Sequence, residues 1–383
     1  MGVYLDYNAS APIDSSVLDV MVDVYRNVTG NSDSRTHDFG ENSRKVVENA
    51  RGQVARLLNV NSGEVFFTSG STESNNIAIR GLTEYAIENK KMHVITSTIE
   101  HKAVLETVKS LEREGFTVDL VQPEEDGRVD AAKVLRLVKD DTLLVSLMHA
   151  NNETGVIQPV KEIGEVLEEK GILFHIDATQ SCGKLVPELK ELKYNMLSLS
   201  AHKLSGPQGV GALILRKKRY KLPPIKAITF GGQQEHGIRP GTVPVALVAG
   251  LGKACELAEE NYENNMLRYI QNKKAVMSLI EKSGLDFEIN GNQEFCMPNT
   301  VNVSFRGVKS EALMLYSKQY CSVSNGSACT SNDYSSSYVL TAMGLDVDRI
   351  SSAIRISWGA ETKQEELIDN LSKMLEIAKG LAF

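Results

Sequence analysis

The chain has 383 residues, too many for one ordinary core, so two domains are expected. Hydrophobic residues make up 42% and charged residues 24%, a balance that excludes a disordered chain. A formal charge of −7 argues against a general binder of nucleic acid or of membrane surfaces. The N-terminus runs directly into Val3-Tyr4-Leu5-Asp6, so no secretory signal is expected, and Asp6 stands where myristoylation needs a hydroxyl. Residues 1–13 read as a short extended arm ending at Ala11-Pro12. A helix from about Ser15 to Val28 follows, and then a polar loop, Gly30 to His37. From Asn42 to Leu58 the pattern is helical, with Val46, Ala50, Val54 and Leu57 on one face.

Glu64-Val65-Phe66-Phe67 reads as a strand broken at Thr68-Ser69-Gly70, and a helix starts at Ser71-Thr72-Glu73. That helix is expected to bury Ala78, Leu82, Tyr85 and Ala86. A strand–glycine–hydroxyl–helix junction is an anion site, because free N–H groups and the positive dipole end face the turn. Plain helix capping uses the same residues. No lysine follows the glycine, so this is not a Walker A loop. Strands and helices then alternate through Val94-Ile95-Thr96, Val118 to Val121 and Leu143 to Met148, which predicts a mainly parallel sheet covered on both faces. Ligands gather at the carboxyl ends of such strands. At those ends stand Ser69-Gly70-Ser71-Thr72, Glu100-His101, Asn151-Asn152-Glu153 and Asp177-Ala178-Thr179-Gln180.

Asp177 closes the strand Ile172 to Ile176, and Lys203 closes Ser198-Leu199-Ser200-Ala201-His202, 26 residues later. A lysine at the end of a buried strand costs desolvation unless its nitrogen is used. Such a pair suits pyridoxal phosphate: the lysine forms a Schiff base, and the carboxylate keeps the ring nitrogen protonated. A snorkelling surface lysine and a helix-capping aspartate are the plainer reading. Beyond Lys203 come the turn-rich Leu204 to Gly211 and the strand Ala212 to Leu215. The basic cluster Arg216-Lys217-Lys218-Arg219 reads as a solvated strand end. Long helices are expected from Val243 to Glu260 and Met266 to Ile280; the apolar run Val245 to Leu251 is far too short to span a bilayer. A smaller α/β unit follows, with strands at Phe287 to Ile289, Thr300 to Val303 and Ala353 to Ile356. Its closing helix is expected to open with a capping box, Thr362 to Glu365, and to bury Leu367, Leu371, Met374 and Ala378.

Cys182, Cys255, Cys296, Cys321 and Cys329 form no CxxC pair, which fits a reducing cytoplasm and one working thiol. Cys329 stands in a serine-rich polar run between Ser322 and Ser337, an unusual place for a residue that is normally buried. An incidental loop cysteine is the bland alternative. Cys321 is a weak candidate for a resolving thiol.

His175-Ile176-Asp177-Ala178-Thr179-Gln180, Ser200-Ala201-His202-Lys203 and Ser327-Ala328-Cys329-Thr330-Ser331 resemble the signature segments of the NifS/IscS family of cysteine desulfurases, group I. The resemblance runs almost end to end. It implies a fold-type I pyridoxal-phosphate transferase of the α/β class, with a mainly parallel seven-stranded sheet in the large domain plus a smaller α/β domain. The large domain is expected over residues 14–258, and the small domain over 1–13 and 259–383, carrying the cysteine loop at about 322–337. The resemblance further implies Lys203 as the Schiff-base lysine, Asp177 on the ring nitrogen and His101 on the ring face, where it also shuttles a proton. Ser71, Thr72, Ser200 and His202 then bind the cofactor phosphate, while Asn152 and Gln180 touch the phenolic side. Arg355, with Asn152, receives the substrate carboxylate, and no metal is called for.

The loop Phe230 to Thr242 resembles the family's crossover segment, in which Thr242 reaches the phosphate of a neighbouring subunit of a homodimer. Gln233 and His236 depart from the usual glycine and arginine there, and Asn325 from the usual serine. The implied reaction takes L-cysteine to L-alanine and leaves the sulfur as a persulfide on Cys329. A sulfur-acceptor protein, either an iron–sulfur scaffold or an enzyme of tRNA or DNA thiolation, then receives it, with no direct contact to nucleic acid or membrane. Rival readings are another enzyme of the fold, such as a selenocysteine lyase or an aminotransferase, and a non-catalytic partner scaffold.

Overall fold

The computed structural model describes residues 2–325 and 336–382. In chain order the strands are β1 (Val3–Tyr4), β2 (Val65–Thr68), β3 (His93–Ser97), β4 (Thr117–Val121), β5 (Thr142–Met148), β6 (Leu173–Asp177), β7 (Met196–Ser200), β8 (Gly211–Leu215), β9 (Phe287–Ile289), β10 (Thr300–Phe305), β11 (Cys321–Ser322) and β12 (Ala353–Ser357). Seven of them form one sheet in the order β2-β8-β7-β6-β5-β3-β4, as expected for this fold class. The steps from β7 through β6, β5 and β3 to β4 are parallel, and only β8 runs against its neighbours. β5, β7 and β8 are buried along their whole length, which is why they read as unbroken apolar runs. β4 is an edge, and there the pattern turns polar: Asp119 meets His93 of β3 at 3.0 Å and Lys139 at 2.9 Å.

Helices cover both faces. On one, Val47, Ala50, Val54 and Leu57 of Asp38–Leu58 pack with Val248, Leu251 and Cys255 of Val245–Glu260. The two helices come so close that a Cβ on Gly252 would sit 2.6 Å from the Ala50 Cα. On the other face, Ile77 of Ser71–Arg80 packs with Val104, Val108 and Leu111 of Lys102–Glu112. A second core gathers Leu5, Val301, Val303, Phe305, Ile354, Ile356 and Trp358 under Leu367, Leu371 and Met374 of the closing helix, Gln364–Leu381. β1 pairs with β11 there, so the N-terminal arm is a strand of that unit rather than a free extension.

Three local expectations need correction. The helix begun at Ser71 ends at Arg80, and a second, Thr83–Asn89, carries Ala86; between them the Gly81 carbonyl turns to accept from the Lys226 N–H at 2.8 Å. The closing helix has no capping box. Its N-cap is Lys363, and the Thr362 hydroxyl accepts instead from the Gly359 N–H at 3.1 Å. Lys203 does not end β7 itself: the strand stops at Ser200, and one tight 3-10 turn, Ala201–Lys203, carries the lysine.

Candidate active site

Parallel pairing in register sets Met148 beside Asp177 and Asp177 beside Ser198, so the carboxyl ends of β5, β6 and β7 form one ledge. A cavity of about 450 Å³ opens above it. Asp177, 5% exposed, is locked from both sides. Its Oδ2 accepts from Asn75 Nδ2 at 2.8 Å, and its Oδ1 accepts from the Thr179 N–H at 3.0 Å and from the Thr179 hydroxyl. Lys203 reaches into the same cavity, with Nζ donating to the carbonyls of Asn8 at 2.6 Å and Ala9 at 2.5 Å. Lys184, 6% exposed, holds the backbone beneath: its Nζ donates to the carbonyls of Lys203 at 2.9 Å and Gln180 at 3.1 Å. Burial lowers the Lys184 ammonium to about 8.

One wall is the turn after β2. Gly70 stands at φ 150°, where side chains rarely go, and brings Ser71 and Thr72 to the cavity at the start of their helix. The first turn of that helix carries Glu73, whose carboxylate accepts from the Ser69 N–H at 2.5 Å and from Arg239 Nε at 3.1 Å. Arg239 belongs to the Gly-rich loop, so the loop is fastened to the site. Ser200 and His202 face the same wall. Burial, then Lys203 and Lys184, push the His202 imidazole down to about 4, which leaves it neutral at pH 7.

More of the lining comes from other elements. His101 caps the helix Lys102–Glu112 by accepting from the Ala103 N–H at 3.1 Å, and it lines the cavity. Burial lowers its pKa most; Asp177 raises it, and Lys203 and Lys102 lower it further. Arg355, on β12 and 3% exposed, donates from Nη1 to the Asn152 carbonyl at 2.8 Å and from Nη2 to Asp6 at 2.6 Å. Its Nε has no hydrogen-bond partner among the described residues, and neither do Asn152 Oδ1 and Gln180 Oε1. A guanidinium has five N–H donors, so Arg355 keeps several for a further acceptor. Two fully buried carboxyls stand behind these loops: burial raises Glu100 to about 8 and Glu153 to about 7.

Lys203, His101, Asp177, Gln180, Asn152, Ser71, Thr72, Ser200, His202 and Arg355 thus share one cavity. Thr242 does not line it and is exposed. Cys329 lies outside the described residues. The other four cysteines form no disulfide among the described residues, and burial raises every one of their thiols, Cys182 and Cys321 to about 12. The sequence reading missed Asn8, Ala9 and Ser10, which line the cavity, and Asp6, which braces Arg355. No local pattern marks them, since the arm meets residues between 144 and 349 positions away. Asn75 was within reach: it lies four residues after Ser71, on the same helix face.

The family model of class-V aminotransferases matches residues 3–371. The chain belongs to that family. Within it, the cysteine desulfurase IscS of Pseudomonas putida (strain W619) is 43% identical, over 99% of this chain and 93% of the relative. A solved structure described as a NifS-like protein superposes with a TM-score of 0.91 at 37% identity and covers all of both chains. Another, described as SspA in complex with cysteine, gives a TM-score of 0.83 at 34% identity, covering 94% of this chain and 99% of that one. The cofactor of the family is pyridoxal phosphate, and the residues of this cavity fit it. The cavity holds the Lys203 amine, a fixed carboxylate, Asp177, and the hydroxyls of a helix start, and the unpartnered buried oxygens of Asn152 and Gln180 await donors.

Proposed function

We propose that the chain is a pyridoxal-phosphate-dependent cysteine desulfurase, which takes L-cysteine to L-alanine and passes the sulfur on. The observation that carries this reading is the grouping of Lys203, Asp177, His101 and Arg355 around one cavity. Lys203 and Asp177 would hold the cofactor there, with Ser71, Thr72, Ser200 and His202 at its phosphate. Bound there, pyridoxal phosphate supplies a sink for the electron pair left when a Cα proton is removed.

The substrate carboxylate pairs with Arg355, whose Asp6 and Asn152 contacts fix the guanidinium plane while its remaining N–H groups point to the ligand. Lys203 Nζ would take the Cα proton of the bound substrate. His101, kept neutral by burial, is a base for the substrate thiol. The Cys329 thiolate then attacks the substrate sulfur. The carbon–sulfur bond breaks with its electron pair going to carbon, which takes up a proton and leaves as alanine, and the sulfur stays on Cys329 as a persulfide. Cys329 alone among the five cysteines lies in a polar, serine-rich run, and the thiols of the other four are held protonated.

The working unit in this reading is a homodimer of a reducing cytoplasm. The exposed Thr242, outside its own chain's cavity, completes the partner subunit's phosphate site. The persulfide goes to an acceptor protein, a scaffold or a thiolation enzyme. Release of sulfide or selenide is measured with cysteine, selenocysteine and alanine offered in turn as substrates. Preference for cysteine, abolished by Lys203→Ala, is the expected result; turnover of selenocysteine alone, or turnover in Lys203→Ala, contradicts it.

A further inference from the structure

The five-residue helix Tyr338–Ala342 packs Val339 and Leu340 against Ile99, in the loop just before His101. Two polar contacts fix its start. The Ser337 hydroxyl donates to Glu153 Oε2 at 2.5 Å while accepting from the Leu340 N–H at 3.1 Å. The Tyr338 hydroxyl donates to the Glu100 carbonyl at 2.8 Å. Glu153 is itself immobilised: its N–H donates to Asn151 Oδ1 at 2.8 Å, and its carbonyl accepts from Asn302 Nδ2 at 3.0 Å. With Glu153 2% exposed and Ser337 5% exposed, the carboxyl–hydroxyl contact is buried. An apolar residue would fill that space at lower desolvation cost, so the carboxyl is there to hold something.

On the other side, the Arg355 N–H donates to the Ser324 carbonyl at 2.6 Å, and the Ser324 N–H donates back at 3.2 Å. Arg355 in turn grips the carbonyl of Asn152, the residue beside Glu153. Ser324 and Ser337 are therefore both tied to the wall that carries the substrate clamp. We propose that Glu153 is a positioning residue for sulfur transfer: by holding Ser337 it fixes the downstream end of the chain that carries Cys329, next to Arg355. The proposal rests on the desulfurase reading above. Cys329 follows Ser324 by five residues and precedes Ser337 by eight. Releasing Ser337 frees the start of the short helix behind it, which packs on Ile99 just before His101.

The test uses the holoenzyme and the variants Glu153→Ala, Glu153→Gln and Ser337→Ala. Three quantities are read: the absorbance response to added cysteine, the rate at which Cys329 gains sulfur by rapid quench and mass spectrometry, and amide exchange over Tyr338–Ala342. In both alanine variants the cysteine response should keep its concentration dependence. Exchange should speed up locally, and sulfur loading should slow at least about threefold. Glu153→Gln keeps an acceptor oxygen for Ser337 and should restore most of the rate. If Glu153→Ala does not fold, Ser337→Ala carries the comparison alone. Loading at the wild-type rate in the alanine variants overturns the proposal, as does a cysteine response that falls in parallel with loading. Wild-type protein that loads no sulfur on Cys329 would instead sink the desulfurase reading itself.

Discussion

Glu100 sits directly before His101 with Oε2 making no hydrogen bond among the described residues, while its other oxygen accepts from the Ser97 hydroxyl at 2.5 Å. Burial raises its pKa from 4.5 to about 8, so the folded protein keeps it neutral where an unfolded chain would ionise it. Its contribution to stability is fully present below about pH 4.5 and is lost as pH rises through about 8. Glutamine has the same shape and no proton to release. Glu100→Gln should therefore gain on wild type as pH rises, by about 1–3 kcal/mol between about pH 5 and pH 8. Thermal midpoints of the two holoenzymes at both pH values check this. A gap that stays constant means that the carboxyl is ionised in the fold and that His101 has a charged neighbour.

At the level of elements, the Gly-rich loop after β8 is held by a buried ion pair. Glu235, at φ 47°, accepts from Arg51 through both oxygens at 2.8 Å and from the Phe67 N–H at 2.8 Å. Removing one partner of such a pair strands the other, so Glu235→Ala should lower stability by about 3–5 kcal/mol, whereas replacing both Arg51 and Glu235 by apolar residues should recover much of it. Denaturant midpoints of the single and double variants decide the matter; equal losses would mean that the pair does not anchor the loop. The same loop answers for the His236 departure: its imidazole stands edge-on to Phe66 with the rings 5.9 Å apart. The loop illustrates where sequence reading stops. Strands β5 to β8 and the apolar faces of the covering helices were legible, because burial on both faces or on one leaves its period in the residues. Asp177 and Lys203 were legible because a charge at the end of an apolar run is a local anomaly. The Glu235–Arg51 pair, the Asp6–Arg355 brace and the Glu153–Ser337 contact were not, since each joins residues between 184 and 349 positions apart. The capping box at Thr362 failed for the opposite reason: the pattern was local, but the Gly359 turn took the hydroxyl first.

For the whole molecule, the proposed reaction takes two subunits and one mobile sulfur. If Thr242 serves the partner's site, a heterodimer of one Lys203→Ala and one Thr242→Ala chain carries both lesions in one site and neither in the other. About half the wild-type activity should then survive, whereas each mutant homodimer is impaired in both of its sites. Activity no higher than the mean of the two homodimers would place Thr242 outside the partner's site. The central claim is that substrate sulfur passes to Cys329, and mass spectrometry of the protein after a brief exposure to cysteine tests it most directly. One added sulfur is expected on the peptide containing Cys329, with Cys329→Ser still changing colour on adding cysteine but gaining no sulfur and releasing almost no alanine. Sulfur found on Cys321 or another cysteine, with Cys329→Ser turning over as wild type does, would contradict it.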